Sequence, residues 1–209
     1  RLTAMGHCPA ILSRGYGGTE QGPLRVDPLK HRPAEVGDEP LLLAAHTTVY
    51  IAQDRAAGAK LIEQDGTTTH IILDDGFQNP TLQKDLSIIV IDAARGFGNG
   101  KLIPTGPLRE PVEFGLARAY AVLVIGTDAS AALDHLVPPG TPNLARLSGK
   151  LAPGPESMWL QGQPVTAFCG IGNPDKFFAT LEELGVNLVG KFDFPDHHTL
   201  KPQELLLIE

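Results

Sequence analysis

With only two cysteines in 209 residues, Cys8 and Cys169, the chain has no basis for a disulfide scaffold, and neither sits in a metal-ligand spacing. Such sparse usage suits a reducing compartment and free, buried thiols. No apolar run approaches the roughly 18 residues that a membrane-spanning helix needs, and there is no secretory signal. Basic residues are not in excess either. The 17 Lys and Arg face 24 Asp and Glu, a formal net charge of −7 that argues against nucleic acid as a partner. A local basic patch for an anionic substrate or a lipid headgroup is still compatible with that balance. Internal repeats and low-complexity tracts are also missing, which excludes a solenoid. What remains is an ordinary globular composition, 42% hydrophobic and 20% charged, in a chain long enough for one domain or one domain plus part of another. A strand-like segment starts soon after Arg1, and 203–209 stops inside a helical pattern without a cap, so both ends read as truncations.

Short apolar runs alternate with helical patterns, the signature of βαβ units and a mostly parallel sheet. The expected strands are Ala10–Ser13, Thr48–Ala52, His70–Leu73, Ser87–Ile91, Ala121–Ile125 and Val165–Cys169. Their near-continuous apolar character predicts cover on both sheet faces. Helices are expected at Glu39–Ala45 (capped by Asp38), at Asp54–Gln64 and at Pro174–Leu184, the last with Asn173 as N-cap and Pro174 at its first position. Pro, Gly and Ser gather from Pro138 to Pro164. The expected organisation is therefore a core over 1–150, a linker over 151–164 and the start of a smaller α/β domain over 165–209.

In an open parallel sheet, ligands bind beyond the carboxyl ends of the strands, so the residues just after each strand carry most of the functional weight. Ser13-Arg14-Gly15-Tyr16-Gly17-Gly18, Asp74-Asp75-Gly76-Phe77-Gln78, Asp92 and Gly126-Thr127 occupy such positions. Adjacent carboxylates after a buried strand are a common way to hold Mg²⁺ in phosphoryl-transfer enzymes, although Asp-Asp-Gly is also good turn chemistry. Asp38 is a candidate general base on a loop before a helix, or simply a cap. Gly96-Phe-Gly-Asn-Gly100 is not followed by a helix and fails as a dinucleotide fingerprint. It opens a long loop that ends at Arg109-Glu110, either a phosphate-facing guanidinium or a surface ion pair. Gly170-Ile-Gly-Asn-Pro174 reads as a turn into a capped helix. Asp196-His197-His198 offers a metal ligand or an acid–base group, or merely a polar surface.

Seven segments in order resemble the tetraacyldisaccharide 4′-kinase family, the lipid A 4′-kinases of Gram-negative bacteria. They are Pro9-Ala-Ile-Leu-Ser-Arg-Gly-Tyr-Gly-Gly18, Val36-Gly-Asp-Glu-Pro-Leu-Leu-Leu-Ala44, Ile72-Leu-Asp-Asp-Gly-Phe-Gln78, Gly96-Phe-Gly-Asn-Gly100, Pro104-Thr-Gly-Pro-Leu-Arg-Glu-Pro111, Gly170-Ile-Gly-Asn-Pro174 and Phe194-Pro-Asp-His197. The resemblance implies an N-terminally truncated P-loop core with an incomplete second α/β domain. It also implies transfer of the γ-phosphate of ATP, with Mg²⁺, to the 4′-hydroxyl of a tetraacylated glucosamine disaccharide 1-phosphate. The implied location is the cytoplasmic face of the inner membrane, as a peripheral protein. Carried over, Asp38 and His197 match the catalytic pair, and Asp74 and Asp75 match the metal region. Asp75, Gln78 and Arg109 match the nucleotide end, and Arg14, Tyr16, Glu39 and Glu110 match the substrate cleft.

Two departures from the family pattern stand out. The Gly-Lys-Thr phosphate loop is not among these residues, and Asn79 stands where the family usually has His. The first implies little kinase activity and poor stability for this chain alone, because the phosphates lose their main cradle. Two other readings of the same residues are a metal-dependent phosphohydrolase built on Asp74, Asp75 and His197, and a degenerate relative that binds lipid without catalysis.

Overall fold

The computed structural model describes residues 1–138, 140–141, 143–196, 198 and 200–204. The chain divides into two compact units, Arg1–Gly149 and Lys150–Glu209.

The first unit opens with a single 3-10 turn, Thr3–Met5, closed by Gly6 in the left-handed region. Its first half then runs β1 (Pro9–Ser13), β2 (Leu24–Arg25), α1 (Pro33–Val36), α2 (Asp38–Ala44), β3 (Thr48–Ile51), α3 (Arg55–Asp65) and β4 (His70–Leu73). The strands order as β2-β3-β1-β4, with β3 and β4 parallel to β1 and the short β2 antiparallel to β3. Alternation along the strands sorts the apolar residues onto two faces. Ala10, Leu12, Tyr50 and Ala52 pack against Ala59 and Ile62 of α3. Val49 and Ile51 pack with Val26 and Val36 and with Leu41 and Leu43 of α2. Gly58 lets α3 approach closely, because a Cβ there would lie 2.7 Å from both Ala52 Cβ and Leu12 Cδ1. The Asp54 carboxylate caps α3 by accepting from the N–H groups of Ala56 at 2.9 Å and Ala57 at 3.1 Å.

The second half contains β5 (Ile88–Asp92), α4 (Val112–Arg118), β6 (Ala121–Ile125), α5 (Ala129–Leu136) and β7 (Ala145–Gly149), all three strands parallel in the order β5-β6-β7. Thus β7 falls inside the Pro- and Gly-rich stretch that begins at Pro138. Ile91, Val122 and Val124 pack with Leu116 of α4, Leu133 of α5 and Val137. The alternate residues of these strands are not covered. Ile88, Val90 and Leu147 are exposed, Val90 by 60%, as is Ile72 of β4, so the expectation of cover on both faces holds for β1 and β3 and fails for β4 and the second sheet. Continuous apolar character showed that these strands are sheet-forming; it did not show that each face has a partner within these residues.

The second unit holds β8 (Pro164–Cys169), α6 (Pro174–Glu183) and β9 (Asn187–Asp193), with β9 parallel to β8. Asn173 caps α6 by accepting from Lys176 N–H, and Phe178 closes a small core with Ala167 and Cys169. Before β8 the chain makes a 3-10 helix, Pro155–Leu160.

The cysteines differ from the sequence expectation. Cys169 is buried, but Cys8 is exposed. Burial raises the Cys169 thiol pKa, and Asp193 adds to the effect, so less thiolate forms at mildly alkaline pH. Iodoacetamide at pH 8 should therefore modify Cys8 at least about tenfold faster than Cys169, read by peptide mass spectrometry.

Arg55 is only 4% exposed, and its fork donates to the carbonyl of Leu12 at 3.0 Å and of Asp74 at 2.9 Å. Replacing it with Met would strand the Asp74 carbonyl and leave Leu12 O with only the Asp74 N–H, at 3.2 Å. Arg55→Met is expected to cost about 3 kcal/mol, seen as a lower urea midpoint at unchanged slope. Arg55→Lys should recover less than half of that loss, because an ammonium cannot span both acceptors in the same geometry.

Candidate active site

Loops that leave the carboxyl ends of the strands assemble the site from two sides. On the first side, β1 ends at Ser13, whose hydroxyl donates to Asp74 Oδ2 at 3.0 Å across the β1–β4 pair. The next residue, Arg14, lies near Arg55, as do Asp74 and Asp75. Burial lowers the Arg55 pKa most; Asp74 opposes this, Arg14 adds to it and Asp75 opposes it. The two aspartates diverge although they are neighbours. Asp74 turns toward Ser13, whereas Asp75, in the left-handed region at φ 47°, is exposed and stands 3.9 Å from the Arg109 guanidinium. This divergence relieves the repulsion expected of adjacent carboxylates.

The loop carrying Arg14 and the exposed Tyr16 packs against the start of α2. Thr19 N–H donates to Ala34 O at 3.0 Å and Glu20 N–H to Glu35 O at 2.8 Å, which fastens this loop to α1. Gly37 sits at φ 90° and ψ 152°, a region essentially reserved for glycine, and a Cβ there would fall 2.6 Å from Tyr16 O. Gly37 itself is the N-cap position of α2, so Asp38 is the first helical residue and not the cap that the sequence suggested. The helix can start there because Gly37 supplies the bend. Asp38 Oδ1 accepts from Glu39 N–H at 3.0 Å, and both residues follow directly on the Gly37 that packs against Tyr16's backbone.

On the second side, the loop before α4 brings Arg109 and Glu110 to Gln78. Arg109 donates to Gln78 Oε1 at 3.3 Å, and Gln78 Nε2 donates to Glu110 Oε1 at 3.0 Å. Arg118 of α4 donates to both Glu110 oxygens at 2.6 Å and lies 4.9 Å from the Phe77 ring centroid. Gln78, Arg109, Glu110 and Arg118 line a shallow cleft of about 300 Å³. The surface ion pair considered for Arg109 and Glu110 is thus absent: Glu110 pairs with Arg118, which leaves Arg109 toward Asp75 and Gln78.

The structure therefore gathers Arg14, Asp74 and Asp75 around Arg55, joins Tyr16's loop to Asp38 and Glu39, and links Asp75 and Gln78 to Arg109 and Glu110. His197 lies outside the described residues. Ser13 was marked only by its strand-end position, without a partner, and Arg55 and Arg118 were missed in the sequence, since their partners are distant in the chain or hidden by the helix pattern. Among the described residues no group of three or more His, Cys, Asp or Glu is placed to hold a metal. The donor set still suits Mg²⁺, a hard ion that takes one or two carboxylates and keeps waters or substrate oxygens for the rest, and Asp74 with Ser13 beside it provides such a start.

Mostly parallel α/β sheets with carboxylates and guanidinium groups at the strand ends, together with the structural match given below, place the chain in the P-loop kinase class. The sequence profile described as Tetraacyldisaccharide-1-P 4′-kinase matches residues 1–209, and the chain belongs to that family. It is 48% identical to the tetraacyldisaccharide 4′-kinase of Gluconobacter oxydans over 209 residues, covering 100% of this chain and 62% of the relative. Identity to the Rhodospirillum centenum relative is 53%, covering 98% of this chain and 60% of that protein. The chain thus spans about three fifths of the curated relatives it matches. The crystal structure of "apo" form LpxK from Aquifex aeolicus in complex with ATP is similar at a TM-score of 0.70 and 28% identity, covering 96% of this chain and 67% of that one.

Gly37→Ala should lower stability by about 1–3 kcal/mol from backbone strain alone, measured by urea unfolding. The same change at Gly66, whose φ of 67° lies in the ordinary left-handed region with nothing within 4 Å of a built Cβ, is expected to cost less.

Proposed function

We propose that this chain supplies most of the catalytic body of an ATP-dependent lipid kinase that phosphorylates the 4′-hydroxyl of a tetraacylated glucosamine disaccharide 1-phosphate. The observation that carries this reading is the meeting of the Tyr16 loop with the Asp38 start of α2, at the strand ends where Ser13 binds Asp74. That arrangement puts a candidate base, an aromatic platform and a metal-type donor pair on one edge of a sheet. The ATP bound to the similar Aquifex aeolicus protein and the names of the relatives support the nucleotide and the substrate class.

In this mechanism Asp38 takes the proton from the sugar hydroxyl, and His197 is its proposed partner in holding that proton. Arg14, Tyr16 and Glu39 hold the disaccharide headgroup, with the Tyr16 ring open to stack on a sugar face. Arg109 and Gln78 face the phosphates. Glu110 positions them: Arg118 balances its charge, so it can orient Gln78 without repelling an anionic ligand. Asp74 and Asp75 would hold Mg²⁺, which when bound screens phosphate charge and lowers the cost of bringing an alkoxide toward it. The site faces a lipid substrate, so the protein works at a membrane surface, the cytoplasmic face of the inner membrane. No helix among the described residues is long and apolar enough to cross a membrane.

The test is a chimera in which residues 1–209 replace the matching stretch of the Gluconobacter oxydans relative. It is expected to transfer radiolabelled phosphate from ATP to the detergent-dispersed disaccharide, and Asp38→Asn should lower kcat about 100-fold or more with little change in ATP affinity. A chimera that folds and binds ATP but transfers nothing would overturn the reading.

A further inference from the structure

The long loop between β5 and α4 has an inward and an outward side. Phe97 packs against the core beneath α5, near Leu136. Farther along, Lys101, Leu102, Ile103, Pro104 and Thr105 are all exposed, Leu102 by 42% and Ile103 by 61%. Two neighbouring branched side chains in water, next to a proline, have no role in holding this unit together.

The backbone at this tip is nevertheless closed on itself. Ile103 N–H donates to Leu108 O at 2.8 Å, and Leu108 N–H donates to Lys101 O at 3.2 Å. Leu102 O accepts from the N–H groups of Thr105 at 2.9 Å and Gly106 at 3.0 Å, and from the Thr105 hydroxyl at 3.0 Å. Asn99 fastens the base, donating to Thr105 O at 2.8 Å and accepting from Lys101 N–H at 3.1 Å. A loop that pairs most of its polar groups internally loses less on reaching a lipid interface. The tip groups still open among the described residues, Leu102 N–H and the Ile103 and Pro104 carbonyls, set a shallow depth at which headgroups and water can bond them.

Charge points the same way. Residues 95–109 contain Arg95, Lys101 and Arg109 and no Asp or Glu, in a chain whose net charge is −7. A locally basic, apolar-tipped loop on an acidic protein fits an anionic bilayer, where cations remain among the headgroups while apolar side chains reach the acyl boundary.

We propose that Leu102 and Ile103 form a membrane-docking tip that inserts into anionic phospholipid, with Lys101 at the headgroup level. The loop leads directly into Arg109 and Glu110 of the candidate site, so insertion at its tip sets that site against the bilayer surface. In purpose, though not in its physics, this rests on the lipid-kinase reading. A single shallow anchor of this size gives weak, reversible and salt-sensitive binding.

The first measurement is co-sedimentation of the 209-residue chain with vesicles of phosphatidylethanolamine and phosphatidylglycerol. The doubly substituted Leu102→Ser/Ile103→Ser chain should partition about tenfold less, and Lys101→Glu about fivefold less at low salt only. Vesicles of phosphatidylcholine alone should bind the unmodified chain poorly. A second readout does not depend on the serine variants folding. In a Trp159→Phe background, Ile103→Trp should shift to the blue on vesicles and be quenched by brominated acyl chains. Equal partition of the unmodified and serine chains, or an unshifted, unquenched Ile103→Trp, would overturn the proposal. In the chimera, the serine pair should leave transfer to detergent-dispersed disaccharide unchanged and reduce transfer to vesicle-embedded disaccharide. Vesicle binding that needs Leu102 and Ile103 without any phosphoryl transfer would defeat the kinase reading and leave the docking tip standing. Transfer without loop-dependent binding would do the reverse.

Discussion

The Arg55 guanidinium is the constraint on which the candidate site depends. Two parallel strands, β1 and β4, end side by side, and the chain must leave the ladder there with a donor for the Asp74 carbonyl just past β4 and a tie back to β1. Arg55 accepts that role from the first turn of α3, bonding Leu12 O and Asp74 O at once. Asp54 fixes where that turn begins, and Gly58 lets the helix lie close enough for the fork to reach. A helix cap, a glycine in a helix face and a buried cation thus together determine where Ser13 and Asp74 meet. The carboxylates nearby do more than await a ligand. They also offset the cost of a positive charge kept from water.

The two sides of the site are held by different physics. Around Tyr16 and Asp38 it is steric: glycine at position 37 lets two backbones approach more closely than any side chain would allow. Around Gln78 the fit is electrostatic and more exposed, a relay from Arg109 through Gln78 and Glu110 to Arg118. The first is rigid by construction. The second can exchange partners at modest cost, since pairs this open to solvent contribute little to stability. A ligand phosphate could therefore draw Arg109 from Asp75 without unfolding anything.

Much of the fold was legible because hydrophobic runs and strand-end loops are local signals. His70–Leu73 and Ala121–Ile125 form strands at the boundaries read from the sequence, and Asn173 caps its helix as expected. What escaped was non-local or short. β2 has two residues and exists only through its pairing with β3. β7 lies in a stretch whose Pro and Gly content gave no strand signal, and its register comes from β6. Arg55 looks like an ordinary first-turn residue, because its acceptors lie 43 residues before it and 19 after it. Asp38 was correctly placed at a helix start and wrongly made the cap, since a glycine with positive φ can do what a capping side chain does elsewhere. The grouping of Asp74, Asp75, Gln78 and Arg109 followed from strand-end position; the partner of Glu110 did not, because nothing local distinguishes Arg118 from any other last-turn cation.

The open borders of the two sheets also govern how this chain behaves as a material. Among the described residues β4 is bonded only to β1 and β5 only to β6, and each leaves an outer backbone edge unpaired, with Ile72 on the first and Ile88 and Val90 on the second uncovered. A second molecule can continue either ladder as readily as a native neighbour would. Open edges of this kind favour edge-to-edge growth as concentration rises, and a net charge of −7 opposes it. Salt that screens the surface charge removes the brake while leaving the hydrogen-bonding edge intact.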